Sequence, residues 1–135
     1  MTHSPDDLFG TWALVRTEAF SADGTPLDAP YGGDAAMGRV TLGVNGRMIA
    51  VICDGRAEIP AGTARDYISY CGAYRFDGNK LITRVDAAAD PARLGSDQIR
   101  QVSFEDDLMV LRPPLKPYGE RPEQRVLYWR RIAAD

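Results

Sequence analysis

Residues 38–54 read Gly-Arg-Val-Thr-Leu-Gly-Val-Asn-Gly-Arg-Met-Ile-Ala-Val-Ile-Cys-Asp, and this stretch decides the fold. Two runs rich in β-branched residues, 38–44 and 47–54, flank Asn45-Gly46, a dipeptide suited to a tight hairpin because both positions tolerate positive φ. The pattern repeats outward. Strands at 69–77 and 80–87 flank Gly78-Asn79, and strands at 98–105 and 108–112 flank Asp106-Asp107. Residues 11–20 supply a first strand and 125–132 a last one. Most of the connections are too short for crossover helices, so neighbouring strands run antiparallel. The expectation is an all-β chain forming an eight-stranded antiparallel up-and-down β-barrel, because closure removes the unpaired edges a flat sheet would expose. Three longer connections, 21–37, 55–68 and the proline-rich 113–124, interrupt the rhythm. The first is placed to cover the barrel mouth, and 61–67 is expected to make one short helical turn.

Composition narrows the function. The chain has 135 residues and 16 Lys+Arg against 19 Asp+Glu, a net charge of −3, which fits one domain over 1–135 with a polar tail at 1–9. There is no basic surplus of the kind nucleic-acid binders show, so no nucleic-acid partner is expected. No apolar run reaches the ~18 residues of a membrane span, and 1–9 does not read as a signal peptide, so a cytoplasmic protein without a membrane partner is expected. The one histidine, His3, precedes the first strand, which removes the central group of Ser-His-Asp and Cys-His catalysis and of histidine-rich metal sites. Cys53 and Cys71 lack CxxC spacing and read as two separate thiols, small hydrophobes in strands. Neither a metal nor a cofactor is expected.

Alternation in strands puts Trp12, Leu14, Arg16 and Glu18 on one face. It likewise groups Tyr70, Gly72, Tyr74 and Phe76; Ile82, Arg84 and Asp86; Gln98, Arg100, Val102 and Phe104; and Leu127, Trp129 and Arg131. Periodicity alone leaves the inward set open for strands of mixed composition, and the aromatic-plus-arginine sets are taken as inward. Gly10-Thr11-Trp12 with an arginine late in the last strand resembles the lipocalin signature, in which the tryptophan packs under a guanidinium, here Arg131 or Arg130. A longer pattern resembles the lipocalin-like domain family of bacteria and fungi over nearly the whole chain. Its elements are Gly10-Thr11-Trp12 with Leu14, Asp23-Gly24, Gly38 with Asn45-Gly46-Arg47-Met48, Tyr70-Cys71-Gly72-Ala73-Tyr74, Pro91 with Gly95, Gln98 with Arg100, and Leu127-Tyr128-Trp129 with Arg131. The resemblance implies a barrel with a central cavity and small-molecule binding, and supplies no reaction. Where family members often carry a histidine pair, this chain has Thr83-Arg84.

An interior lined by Tyr70, Tyr74, Trp129, Met48, Leu42 and Ile82 suits a small hydrophobic or aromatic molecule, with Gly72, Ala50 and Thr41 leaving room. Arg84 and Arg100 add fixed positive charge that suits a carboxylate. The expected binding residues are therefore Tyr70, Tyr74, Arg84, Arg100, Trp129 and Met48. Asp86 and Glu18 are the alternative partners of those arginines in a purely structural network. Two other functions stay open. One is an isomerase, cyclase or dehydratase working through Tyr70, Tyr74, Asp86, Glu18 or Cys71. The other is an interaction module using the 113–124 loop or a strand face, including a symmetric homodimer.

Overall fold

The computed structural model describes residues 3–118 and 121–134. The strands are β1 (Gly10–Ser21), β2 (Pro26–Leu27), β3 (Ala36–Leu42), β4 (Arg47–Asp54), β5 (Tyr67–Phe76), β6 (Lys80–Ala88), β7 (Asp97–Glu105), β8 (Leu108–Arg112), β9 (Lys116–Tyr118) and β10 (Arg121–Ala133). Antiparallel pairing runs β1-β3-β4-β5-β6-β7-β8-β10, and β10 pairs back onto β1 from Thr11 opposite Ala133 to Ser21 opposite Glu123. The eight long strands thus close an up-and-down barrel of lipocalin-like topology, while β2 and β9 are short additions beside β1 and β10.

The three hairpins differ in how their turns are made. Between β3 and β4 the loop is Gly43-Val44-Asn45-Gly46, with Gly46 alone at positive φ (81°), so Leu42 faces Met48 rather than Ile49. Between β5 and β6, Asp77 accepts backbone N–H bonds from Asn79 (2.8 Å) and Lys80 (2.6 Å), an Asx turn around Gly78. Asp106 and Asp107 join β7 to β8 with φ of 50° and 67°, the mirror-image two-residue turn that suits strand twist but costs a residue with a Cβ. The double change Asp106→Asn, Asp107→Gly is therefore expected to stabilise the protein by about 1 kcal/mol. The urea midpoint should rise with an unchanged slope; a midpoint that stays or falls would count against the turn assignment.

Two bulges decide which side chains face inward. Val15 is the extra residue between Leu14 and Arg16, so Trp12 and Leu14 point in, but beyond the bulge Thr17 and Ala19 take over. Arg16 and Glu18 turn outward instead, Arg16 stacking on Tyr128 at 3.8 Å and Glu18 accepting from the Tyr128 hydroxyl. Between Cys71 and Gly72 the opposing strand carries Asp86 as its extra residue. The inward set of β6 is Leu81, Thr83 and Val85, whereas Ile82, Arg84 and Asp86 face out. This corrects the inward placement expected for those three. The set that buries is the one whose members are apolar or carry one neutral hydroxyl, avoiding the desolvation of Arg and Asp. Thr41 also points out, its hydroxyl paired with that of Thr11 at 2.9 Å.

Segment 3–9 packs as part of the domain rather than trailing as a tail. A short 3-10 turn, Pro5–Asp7, delivers Leu8 fully buried into one end of the barrel. Trp12 Nε1 donates to the Leu8 carbonyl at 3.0 Å, and Arg131 caps the same end, its guanidinium 4.6 Å from the Trp12 ring and donating to the Asp7 carbonyl at 2.7 Å. Arg131 rather than Arg130 makes this contact. In place of the expected helical turn over 61–67 there is a single turn at 61–62, followed by irregular chain to Asp66 and the start of β5 at Tyr67: Thr63 N–H donates to the Pro60 carbonyl at 3.1 Å, and Gly62 (φ 81°) leaves the helical region.

Candidate functional site

The other end of the barrel encloses a cavity of about 250 Å³. Its walls follow from the inward faces of the strands. Val40, Met48, Ala50, Ile52, Leu111, Leu127 and Trp129 give an apolar interior, and Tyr70 and Tyr31 add aromatic surface. Ala50 keeps one side shallow where β4 would otherwise fill the centre. Tyr31, at φ 60° and almost fully buried, is turned in from the loop before β3, which does cover the mouth. Burial holds its phenol above the usual range, with Tyr118 adding to the shift and Arg125 opposing it.

The mouth is basic. Arg93, delivered by the 3-10 turn Pro91–Arg93, is almost fully buried and donates to Gln98 Oε1 at 2.5 Å. Arg100 donates to the same oxygen at 3.2 Å and to the Ile99 carbonyl at 2.9 Å. The Arg93 guanidinium lies 5.6 Å from the Tyr70 ring. Lys116 and Arg125 complete the group; Arg125 sits 3.7 Å from the Tyr118 ring and bonds Glu123 at 2.7 Å. None of the ion pairs among the described residues involves Arg93, Arg100 or Lys116. Two cations sharing one neutral amide oxygen leave a field that an anion would lower in energy. Lys116 registers that field: partial burial, then Arg93 and Arg100, hold its amine below the usual lysine range.

Four of the six expected residues meet at this cavity: Tyr70, Met48, Trp129 and Arg100. Tyr74 faces inward but lies outside the lining, its hydroxyl donating to the Gly43 carbonyl at 2.7 Å by the β3–β4 turn. Arg84 lies outside the barrel and pairs with Asp97 at 2.7 Å, with 62% of its side chain exposed, so it does not supply charge to the interior. Asp86 is likewise outside, bound in a fork by Arg47 at 2.6 and 3.0 Å, and neutralises neither Arg84 nor Arg100. The Cys71 thiol points to Asp86 at 3.7 Å on the same outer surface. Of the groups considered for proton transfer, Tyr70 alone lines the cavity.

Sequence reasoning missed Arg93 and Lys116, because turns and proline-rich connections carry no periodicity to place a side chain; it also passed over Arg125, although alternation in the last strand puts that residue on the face of Leu127 and Trp129. The 113–124 connection is not a free surface loop: Pro113 to Pro117 roof the cavity, β9 pairs with β10, and Gln124 Nε2 holds the Pro113 carbonyl at 2.8 Å. Trp129 shows one further feature. Its ring is 1% exposed and Nε1 is a buried side-chain donor with no hydrogen-bond partner among the described residues.

No metal-binding cluster of His, Cys, Asp or Glu occurs among the described residues, and no described helix is long and apolar enough to cross a membrane. No curated protein matches the sequence. A family model described as a lipocalin-like domain matches residues 9–132, which takes in every strand of the barrel but for the last residue of β10. Closed eight-stranded pairing and this match agree, and the chain belongs to the lipocalin-like domain family.

Proposed function

We propose that the protein binds a small apolar or aromatic molecule bearing a carboxylate, its apolar body in the barrel and its acid at the mouth. One observation carries this reading: Arg93 and Arg100 converge on Gln98 with no carboxylate partner, directly above an apolar cavity. A cavity of about 250 Å³ suits a single ring with a short chain rather than a long acyl chain. Arginine keeps its proton when partly desolvated and grips a carboxylate through two parallel bonds, so both orientation and charge are selected. We place the protein in the cytoplasm, where its free thiols, Cys53 and Cys71, suit reducing conditions.

The test is calorimetric titration with 4-phenylbutyrate and its methyl ester. The acid should bind at least about tenfold more tightly, as a charge-assisted hydrogen bond contributes ~1.5–3 kcal/mol. Arg84→Met, on the outer face, should leave that preference intact. Equal affinity for acid and ester would remove the anionic ligand from the account.

A further inference from the structure

The chain has only two lysines, Lys80 and Lys116, against fourteen arginines. Both are exposed, Lys80 beside the β5–β6 turn and Lys116 at the rim of the cavity it helps to line. Lys116 stands on a strand flanked by Pro113, Pro114 and Pro117, which limits how far its backbone can move. Arg93, Arg100 and Arg125 line the same cavity, and the Lys116 amine lies 5.7 Å from the Tyr118 ring. The acids nearby are engaged elsewhere. Glu123, directly opposite Lys116 in the β9–β10 pairing, is bound to Arg125, and Asp90 caps the turn before Arg93 through the Ala92 N–H. A primary amine partly buried at the rim of an apolar pocket and crowded by Arg93 and Arg100 is held toward its neutral, nucleophilic form, with Asp90 opposing the shift.

We propose that Lys116 forms a reversible imine with a 2-oxo acid carrying an apolar or aromatic tail. The proposal rests on the anionic-ligand reading above and narrows it to a substrate class. The carboxylate held by Arg93 and Arg100 is bonded to the ketone carbon in such a molecule, so fixing the acid at the mouth presents the ketone at the level of Lys116, with the tail in the barrel. The neutral amine attacks the ketone carbon, a C=N bond replaces the C=O bond, and the oxygen leaves as water carrying the two hydrogens of the amine. Hydrolysis reverses the step, and no oxidant or reductant takes part. Arginine cannot serve here because its guanidinium stays protonated.

The full-length protein is incubated with 2-oxo-4-phenylbutyrate, the imine is reduced with cyanoborohydride, and the labelled residue is located by peptide mass spectrometry. Parallel titration with 4-phenylbutyrate, which lacks the ketone, reports on the anion site alone. Label on Lys116 in excess of Lys80 by about tenfold or more is expected from the proximity that binding provides. Lys116→Arg, which keeps the charge, should abolish the label, and Lys80→Arg should not. Binding of 4-phenylbutyrate with no label, or with label spread evenly over both lysines, would overturn the imine while leaving the anionic-ligand reading in place. Failure of 4-phenylbutyrate to bind would overturn both.

Discussion

Replacing Arg93 and Arg100 together by methionine is expected to weaken 4-phenylbutyrate binding by a factor of about 100 or more, while its methyl ester changes little. Each guanidinium offers a charge-assisted bond of ~1.5–3 kcal/mol, and two such losses exceed the ~2.8 kcal/mol that a hundredfold change represents. Methionine keeps an unbranched apolar stem, so the packing of residue 93 near Tyr70 is largely retained. The fold should tolerate the change, because the two arginines share Gln98 and removing them relieves like-charge repulsion at the mouth. Calorimetry on the double variant decides. Parallel weakening of acid and ester would mean that the variant had damaged the cavity rather than removed charge recognition.

The second large effect concerns the barrel itself. Gly72 is not in the left-handed region of backbone space, yet an added Cβ would lie 1.9 Å from the Arg84 carbonyl oxygen and 2.8 Å from its carbon. Both atoms are backbone, so neither can rotate away. Gly72→Ala must therefore separate β5 from β6 at their bulge or abandon the bulge, which would swing the rest of β6 to the opposite face. A loss of about 3 kcal/mol is expected, at the upper end of overpacking costs. Gly62→Ala provides the comparison, since Gly62 has positive φ (81°) but open space around its Cα. That substitution should cost only about 1 kcal/mol. Urea unfolding of both variants checks the order; equal losses would remove the steric role assigned to Gly72.

The Gly72 contact also shows where sequence reasoning held and where it stopped. Turn dipeptides and strand lengths were sufficient for the closed barrel, because eight short alternating segments joined by tight turns have few antiparallel arrangements without exposed edges. Inward phase was harder. The Asp77-Gly78-Asn79-Lys80 turn sets Phe76 opposite Leu81, and directly opposed residues share a face, so an inward Phe76 already requires inward Leu81, Thr83 and Val85. That reading was available from the turn and contradicts an inward Arg84. The bulge at Val15 was not available, since nothing in Leu14-Val15-Arg16 distinguishes an extra residue from regular alternation. Half of the mouth also lay beyond reach. Arg100 is on a strand and follows from alternation, but Arg93 depends on a three-residue 3-10 turn and Lys116 on a proline-rich return, neither of which has a repeating pattern.

The two tryptophans, Trp12 and Trp129, allow the most direct test of ligand entry into the barrel. Trp129 is in the cavity wall, and Trp12 is at the opposite end with its N–H bonded to Leu8. Indole N–H resonances followed by ¹H–¹⁵N NMR during titration with 4-phenylbutyrate should show the Trp129 signal shifting to saturation while the Trp12 signal stays in place. A saturating titration in which the Trp129 resonance does not move, or in which Trp12 alone responds, would put the ligand outside the cavity and contradict the account.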